Sequence, residues 1–230
     1  MDKKSEIIAL VPMKGHSERV PGKNMRLLYG RPLFHWVIMS LQNSKYITKV
    51  IIDTDSQEIA QSALESFERV RIIDRPEAIR GDFVSMNVII AYDLSQIEGE
   101  HFLQTHSTNP LLTIATIDKA IECYFKSLKT FDSLFSVTRH HVRLYWQDGR
   151  PINHNPKDLI PTQDLSPVYE ENSNFYIFSR KSFSQSENRR IGLSSRMFEM
   201  DKLESVDIDE EQDFKLAEIL LKSRYSEGKF

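Results

Sequence analysis

At 230 residues, with 40% hydrophobic and 27% charged side chains, the chain can bury a sizeable core, and one α/β domain with an insertion is expected over residues 1–230. A formal net charge of −3 excludes the basic excess of a general nucleic-acid binder, so any affinity for phosphate has to be local. Cys123 is the single cysteine, which excludes an intrachain disulfide. The opening MDKKSE carries no apolar signal segment, and no run approaches the ~20 apolar residues of a membrane helix, so a cytoplasmic protein without a membrane span is expected.

The first predicted element is a strand over IIALV (7–11), which runs straight into PMKGHSERVPGKN. This loop brings Lys14, Arg19 and Lys23 together with Gly15 and Gly22. Glycine permits close backbone approach and φ values that a Cβ disfavours, so main-chain N–H groups can face phosphate oxygens while the cations neutralise them. Six residues rather than four separate Gly15 from Gly22-Lys23, and Asn24 stands where a Walker A loop needs Ser or Thr, so this is not a P-loop; nor is a G-x-G-x-x-G present. The plainer alternative is a solvated basic loop.

Further strands are predicted at KVIIDTD, VRIID, HFLQT and SLFSV, alternating with helices at LFHWVIMSLQNS, SQEIAQSALESF, VSMNVIIAYDLSQI and TIATIDKAIECYFKSL; Cys123 falls on the apolar side of the last. The alternation predicts an α/β chain of βαβ units on a largely parallel sheet. Ligands of such sheets bind beyond the carboxyl ends of the strands, where the phosphate loop, Asp53 to Asp55 and Gln104 are expected to converge. Residues 139–167, rich in Pro, Asn and Asp, read as an extended arm or hairpin that reaches a second subunit. The chain re-enters the core at NFYIFSR and ends in a predicted strand and helix, VDIDEEQDFKLAEILLKSRY. Asp207 and Asp209, two residues apart, would share one face of an extended strand and suit Mg²⁺ whose other ligands are phosphates. Acidic residues ahead of a helix also serve as caps, and the two roles can coexist.

PMKGHSERVPGKN resembles the nucleotide loop P-A-R-x-x-S-K-x-x-x-x-K-N of the acylneuraminate cytidylyltransferases, with the 3-deoxy-manno-octulosonate cytidylyltransferases further off. KVIIDTDSQEIA, RPEAIRGDFVS, FLQTHSTNPLL, QDLSPVYEENSNFYIF and VDIDEEQDF are similar to further blocks of the same family, in the same order. The resemblance implies a Rossmann-like three-layer sandwich, an arm for dimerisation, and attack of an acceptor hydroxyl on the α-phosphate of CTP with release of pyrophosphate. It implies catalytic roles for Lys14, Lys23 and Asp209, and nucleotide contacts from Pro12, Lys14, Gly15, Ser17, Lys23, Asn24, Arg75, Asp82, Ser85 and Gln104. Acceptor contacts would come from Gln104, Gln163, Tyr169, Asn172 and Tyr176, and Mg²⁺ would be held by Asp207 and Asp209. The implied partners are CTP, an acidic sugar and a second copy of the chain.

Departures from the pattern bear on the acceptor. The loop lysine after the serine is Glu18, with Arg19 beside it; Thr162 and Glu170 replace arginines that face an acidic sugar; Ser173 replaces a glycine; and FLQTHSTNP carries two extra residues. Loss of two guanidinium partners argues against ordinary N-acetylneuraminate. Another acidic nonulosonate held by bases such as Arg139, His140, His141 or Arg143, or a less acidic sugar, is expected instead. A catalytically silent nucleotide-binding homologue and a nucleotidyltransferase that uses another base are the competing readings.

Overall fold

The computed structural model describes residues 6–226. Apart from Glu6, the MDKKSE segment lies outside them. In chain order the elements are β1 (Ile7–Leu10), a short hairpin of β2 (Leu27–Leu28) and β3 (Arg31–Pro32), α1 (Leu33–Asn43), β4 (Ile47–Thr54), α2 (Gln57–Ser66), β5 (Val70–Asp74) and α3 (Met86–Gln96). Then follow β6 (His101–Thr105), α4 (Ile114–Ser127), β7 (Ser133–His140), β8 (Val168–Ser179), α5 (Arg180–Gln185), β9 (Ser195–Glu199) and α6 (Glu211–Ser226).

Seven strands form one sheet in the order β5-β4-β1-β6-β8-β7-β9. The pairs β5/β4, β4/β1, β1/β6 and β7/β9 are parallel, whereas β8 runs antiparallel to both its neighbours. Helices cover both faces, so the middles of the central strands are shut off from water: Ala9, Leu10, Val50 and Ile52 are fully buried. That two-sided burial is why IIALV and VII (50–52) read as unbroken apolar runs. On one face Phe34, Val37 and Ile38 of α1, Ile59 of α2, and Ile117 and Ile121 of α4 pack on β1 and β4. On the other, Ile90 and Leu94 of α3 and Phe183 of α5 pack on Leu10, Phe102 and Phe178. Each such side chain contributes roughly 1.5–3 kcal/mol by leaving water.

Local sequence explains the helices. Thr113 caps α4 by accepting from Thr116 N at 3.2 Å, and buried Ile117, Ala120, Ile121 and Tyr124 follow at helical spacing. Pro32 at the start of α1 offers no side-chain cap, so that helix depends on its buried Leu33, Phe34, Val37, Ile38 and Leu41.

The structure corrects the sequence reading in three places. VDID is not a strand: Ile208 N donates to Thr108 O at 3.0 Å without a ladder on either side, and the buried Ile208 side chain packs with Leu111, Phe214 and Leu221. β7 and β8 run well past SLFSV and NFYIFSR because they pair with each other as far as His140 and Val168, so the arm starts after the strand rather than at Arg139. Beyond it, Ile152 N bonds Leu144 O and Trp146 N bonds Arg150 O around a turn at Gly149, whose φ of +81° suits glycine. Tyr145, Trp146 and Leu159 of this segment are exposed. Finally, α5 and β9 were not anticipated.

Candidate active site

A cleft of 690 Å³ opens at the carboxyl ends of β1, β5 and β6, a size suited to a small-molecule ligand. Its walls are the loop after β1 (Pro12, Lys14, Ser17, Lys23, Asn24), the loop after β5 (Arg75, Asp82), and His106, Ser107 and Thr108 after β6. Arg19, Ser173, Arg190, Asp207 and Asp209 also line it.

The basic loop is held from behind. Val11 N and Met13 N donate to Ile51 O and Asp53 O at 2.8 and 2.9 Å, so the loop leaves the sheet along β4. Gly15 N then donates to Asp55 Oδ1 at 2.7 Å, and a Cβ on Gly15 would lie 2.8 Å from Ser56 Cβ. Gly15 is therefore needed for close approach to the start of α2, and its N–H faces away from the cleft, contrary to the cradle expected of it. Asp53 and Asp55 likewise back the loop instead of lining the cavity. Gly22, at φ +62°, turns the chain so that Met25 N and Arg26 N both reach its carbonyl at 3.0 Å. Asn24 fastens the loop: Nδ2 donates to Lys14 O at 2.9 Å and Oδ1 accepts from Ser107 Oγ at 2.7 Å.

Opposite charges meet across the cleft. Lys14 pairs with Asp82. Arg19 Nη2 lies 2.6 Å from Asp209 Oδ1, and Lys23 Nζ donates to Ile208 O at 2.5 Å while standing 3.8 Å from Asp209. Burial lowers the Lys23 pKa, with Asp209 and Asp207 pulling against it. Burial also pushes the Asp207 carboxyl up, and its Oδ1 is buried with no hydrogen-bond partner. The capping duty open in the sequence falls to Asp213, whose Oδ2 accepts from Asp209 N and Glu210 N at 3.0 and 2.7 Å. The carboxylates of Asp207 and Asp209 are thereby left to the cleft. Among the described residues no cluster of three or more His, Cys, Asp or Glu could hold a metal by itself. Two carboxylates, one with an unpartnered buried oxygen, fit a cation whose remaining ligands are phosphate oxygens and water.

Other residues named from sequence stand outside the cleft wall. Ser85 caps α3 by accepting from Asn87 N at 3.3 Å. Gln104 is fully buried: Nε2 donates to Thr105 O at 2.9 Å and Oε1 accepts from Arg190 Nη1 at 2.5 Å. Tyr176 donates to Glu171 Oε1 at 2.5 Å, and its ring carries the Arg190 guanidinium 4.1 Å from its centroid. Asn172 bonds Ser136 Oγ at 2.6 Å and Thr138 Oγ1 at 3.0 Å inside the sheet. Gln163 sits in a 3-10 turn (Thr162–Asp164) of the arm, and Tyr169 is an exposed residue of β8. Of the bases named for the acceptor, His140 Nε2 lies 2.7 Å from Glu170 Oε2 and Arg143 Nη2 donates to Ile160 O at 2.6 Å, while Arg139 and His141 stand outside the cleft wall.

Sequence reasoning missed Arg190 and His106. Arg190 lies in the irregular stretch between α5 and β9, where no motif marks it. His106 occupies the lengthened block after Gln104, so the extra length was the available signal. Burial, reinforced by Arg190, pushes the His106 imidazole down to about 4 and keeps it neutral near pH 7. Ser173, which lines the cleft at φ +55°, adopts the left-handed conformation open to the glycine it replaces.

These features define a nucleotide-handling α/β protein, and comparison with known proteins specifies which. A family model described as cytidylyltransferase matches residues 8–227, and the chain belongs to that family of nucleotidyltransferases. Post-translational flagellin modification protein B of Campylobacter coli is 26% identical over 235 residues, covering 98% of this chain and 99% of its own. CMP-N,N'-diacetyllegionaminic acid synthase of Legionella pneumophila is 26% identical over 94% of this chain and 96% of its own. N-acylneuraminate cytidylyltransferase A of Danio rerio is 30% identical over 94% of this chain, which spans 51% of that longer protein. The fold is shared with a structure of CMP:2-keto-3-deoxy-manno-octonic acid synthetase complexed with CTP, at TM-score 0.70 and 12% identity over 95% of this chain and 99% of the other.

Proposed function

We propose that the chain forms a CMP-sugar from CTP and an acidic nonulosonate or related 3-deoxy-ulosonic acid, with Mg²⁺ as cofactor and pyrophosphate as the second product. The observation that carries this reading is the meeting of the two halves of the site: Arg19 and Lys23 of the basic loop lie against Asp209, and Asp207 beside it keeps a buried oxygen free. The names of the relatives from Legionella pneumophila and Danio rerio support the acceptor class.

In this reading Lys14, Arg19 and Lys23 exchange their carboxylate partners for phosphate oxygens, and Asn24 with Ser107 keeps the loop in register. Catalysis of this kind rests on positioning and on neutralising charge as it develops on the leaving phosphates. Asp207 and Asp209 would hold the metal, which supplies charge neutralisation at the phosphates and polarisation of the acceptor hydroxyl. His106, neutral at pH 7, adds no further charge. The chain works as one domain, in the cytoplasm, and the arm after His140 (residues 141–167) packs on a second subunit through exposed Tyr145, Trp146 and Leu159.

Purified protein supplied with CTP, Mg²⁺ and a panel of 3-deoxy-ulosonic acids should release pyrophosphate with at least one of them. No release with any member would remove the reading. A monomeric mass at micromolar concentration would remove the role given to the arm.

A further inference from the structure

Among the cleft's lysines and arginines, Arg190 stands apart. Lys14 pairs with Asp82, Arg19 and Lys23 with Asp209, and Arg75 with Asp53, whereas Arg190 has no ion-pair partner among the described residues. Its hydrogen-bond partners are neutral, and the Glu171 carboxylate, held by the Tyr176 hydroxyl, acts on it only from beyond ion-pair distance. Nη1 donates to Gln104 Oε1 at 2.5 Å, Nε donates to Asn87 Oδ1 at 3.2 Å, and the guanidinium lies over the Tyr176 ring, 4.1 Å from its centroid. Burial lowers its pKa, yet an arginine keeps its charge at pH 7. Nη2 makes no hydrogen bond among the described residues, and the side chain lines the cleft.

A partly buried cation with no carboxylate in direct contact is costly, so its retention asks for an anion that arrives with the ligand. Gln104, Asn87 and Tyr176 fix the guanidinium plane from two edges and one face, which lowers the ordering cost of binding. A planar fork held in this way matches a carboxylate. The triphosphate already has Lys14, Arg19 and Lys23, His140 and Arg143 are engaged with Glu170 and Ile160 O, and Arg139 and His141 do not line the cleft. The carboxylate is the charge common to all ulosonic acids at neutral pH.

We propose that Arg190, held by Gln104, Asn87 and Tyr176, binds the carboxylate of the acceptor and so replaces the guanidinium groups absent at Thr162 and Glu170. This rests on the acceptor class proposed above.

The test compares acids with their C1 methyl esters, using N,N'-diacetyllegionaminic acid and N-acetylneuraminate. Each is titrated calorimetrically into wild type, Arg190→Gln and Arg190→Lys, all loaded with a CTP analogue whose α,β-methylene bridge prevents turnover. Wild type should prefer acid to ester by about 10- to 100-fold, the range of a hydrogen bond to a charged group. Arg190→Gln, which can still donate to Gln104, should bring the acid down to the level of the ester and leave nucleotide affinity within about threefold of wild type. Arg190→Lys should keep part of the preference. An unchanged preference in Arg190→Gln, a parallel loss of nucleotide affinity, or no acid bound by wild type would each overturn the inference. Failure of the cytidylyltransferase reading shows separately, as absence of pyrophosphate release by wild type with CTP and every acid.

Discussion

Arg19 and Asp209, 190 residues apart in sequence, share a hydrogen-bonded ion pair of 2.6 Å across the mouth of the cleft. The pair is largely exposed, so its own contribution to stability is small. What it shows is register: the acidic segment before α6 is positioned by the basic loop after β1. Replacing Asp209 by Ala should therefore leave the fold intact and lower kcat by on the order of 10²–10³, the range for loss of one preorganised electrostatic group. CTP should still bind, through Lys14 and Lys23. Pyrophosphate release beside calorimetric CTP titration checks both halves, and unchanged turnover would take Asp209 out of the catalytic machinery.

Lys23 links the two segments more intimately, through Ile208 O as well as Asp209. Lys23→Ala should weaken CTP by about 10- to 100-fold, the worth of a hydrogen bond to a charged group. Cytidine, which has no phosphate, should be bound equally by both proteins. Equal loss for cytidine and CTP would mean that the substitution deforms the cleft and that Lys23 does not meet phosphate.

Much of this architecture was legible because period and burial coincide. IIALV, VRIID and HFLQT become β1, β5 and β6 almost residue for residue, because short apolar stretches bounded by polar residues mark strands, and in β1 two-sided burial leaves the run unbroken. The pairing of PMKGHSERVPGKN with VDIDEEQDF was also legible, as two charged loops of opposite sign that a parallel sheet brings to one edge. What escaped was contact that no local pattern encodes. VDID resembles a strand, but no neighbouring strand pairs with it. Gly15 looked like a phosphate cradle, yet Asp55 takes its N–H. Arg190 is defined by Gln104, Asn87 and Tyr176, which come from three distant parts of the chain and meet only after folding.

Gly15 gives a sharp packing prediction. Its Cβ would fall 2.8 Å from Ser56 Cβ, and Ser56 caps α2, so neither atom can swing aside as the end of a long side chain would. Gly15→Ala should destabilise the protein by roughly 1–3 kcal/mol. For a chain of this size each kcal/mol lowers Tm by about 2–4 °C. CTP affinity should fall as well, because the loop carries Lys14 out of its place in the cleft wall when it shifts. Calorimetric melting and CTP titration of the same preparation read both effects, and a variant with wild-type Tm would show that the loop and α2 can separate freely.

The last prediction concerns Arg75, which enters the cleft from a buried acidic pair. Arg75 Nε donates to Asp53, and Asp93 lies against Asp53 behind it, with Asp93 pushed up to about 9 by burial first and then by the Asp53 charge. Asp93 therefore holds a proton in the folded protein that the unfolded chain has released above the usual carboxylate range. The native state binds the extra proton, so stability is greatest at low pH within this window and declines as pH rises towards 9. The slope from this one group approaches about 1.4 kcal/mol per pH unit. Asp93→Asn can donate to Asp53 without titrating, so its unfolding free energy should fall less steeply between pH 6 and 8 than that of wild type. Denaturant unfolding at several pH values measures both slopes. Parallel slopes would mean that Asp93 ionises in place, and Arg75 would then be balanced by two charged carboxylates instead of one.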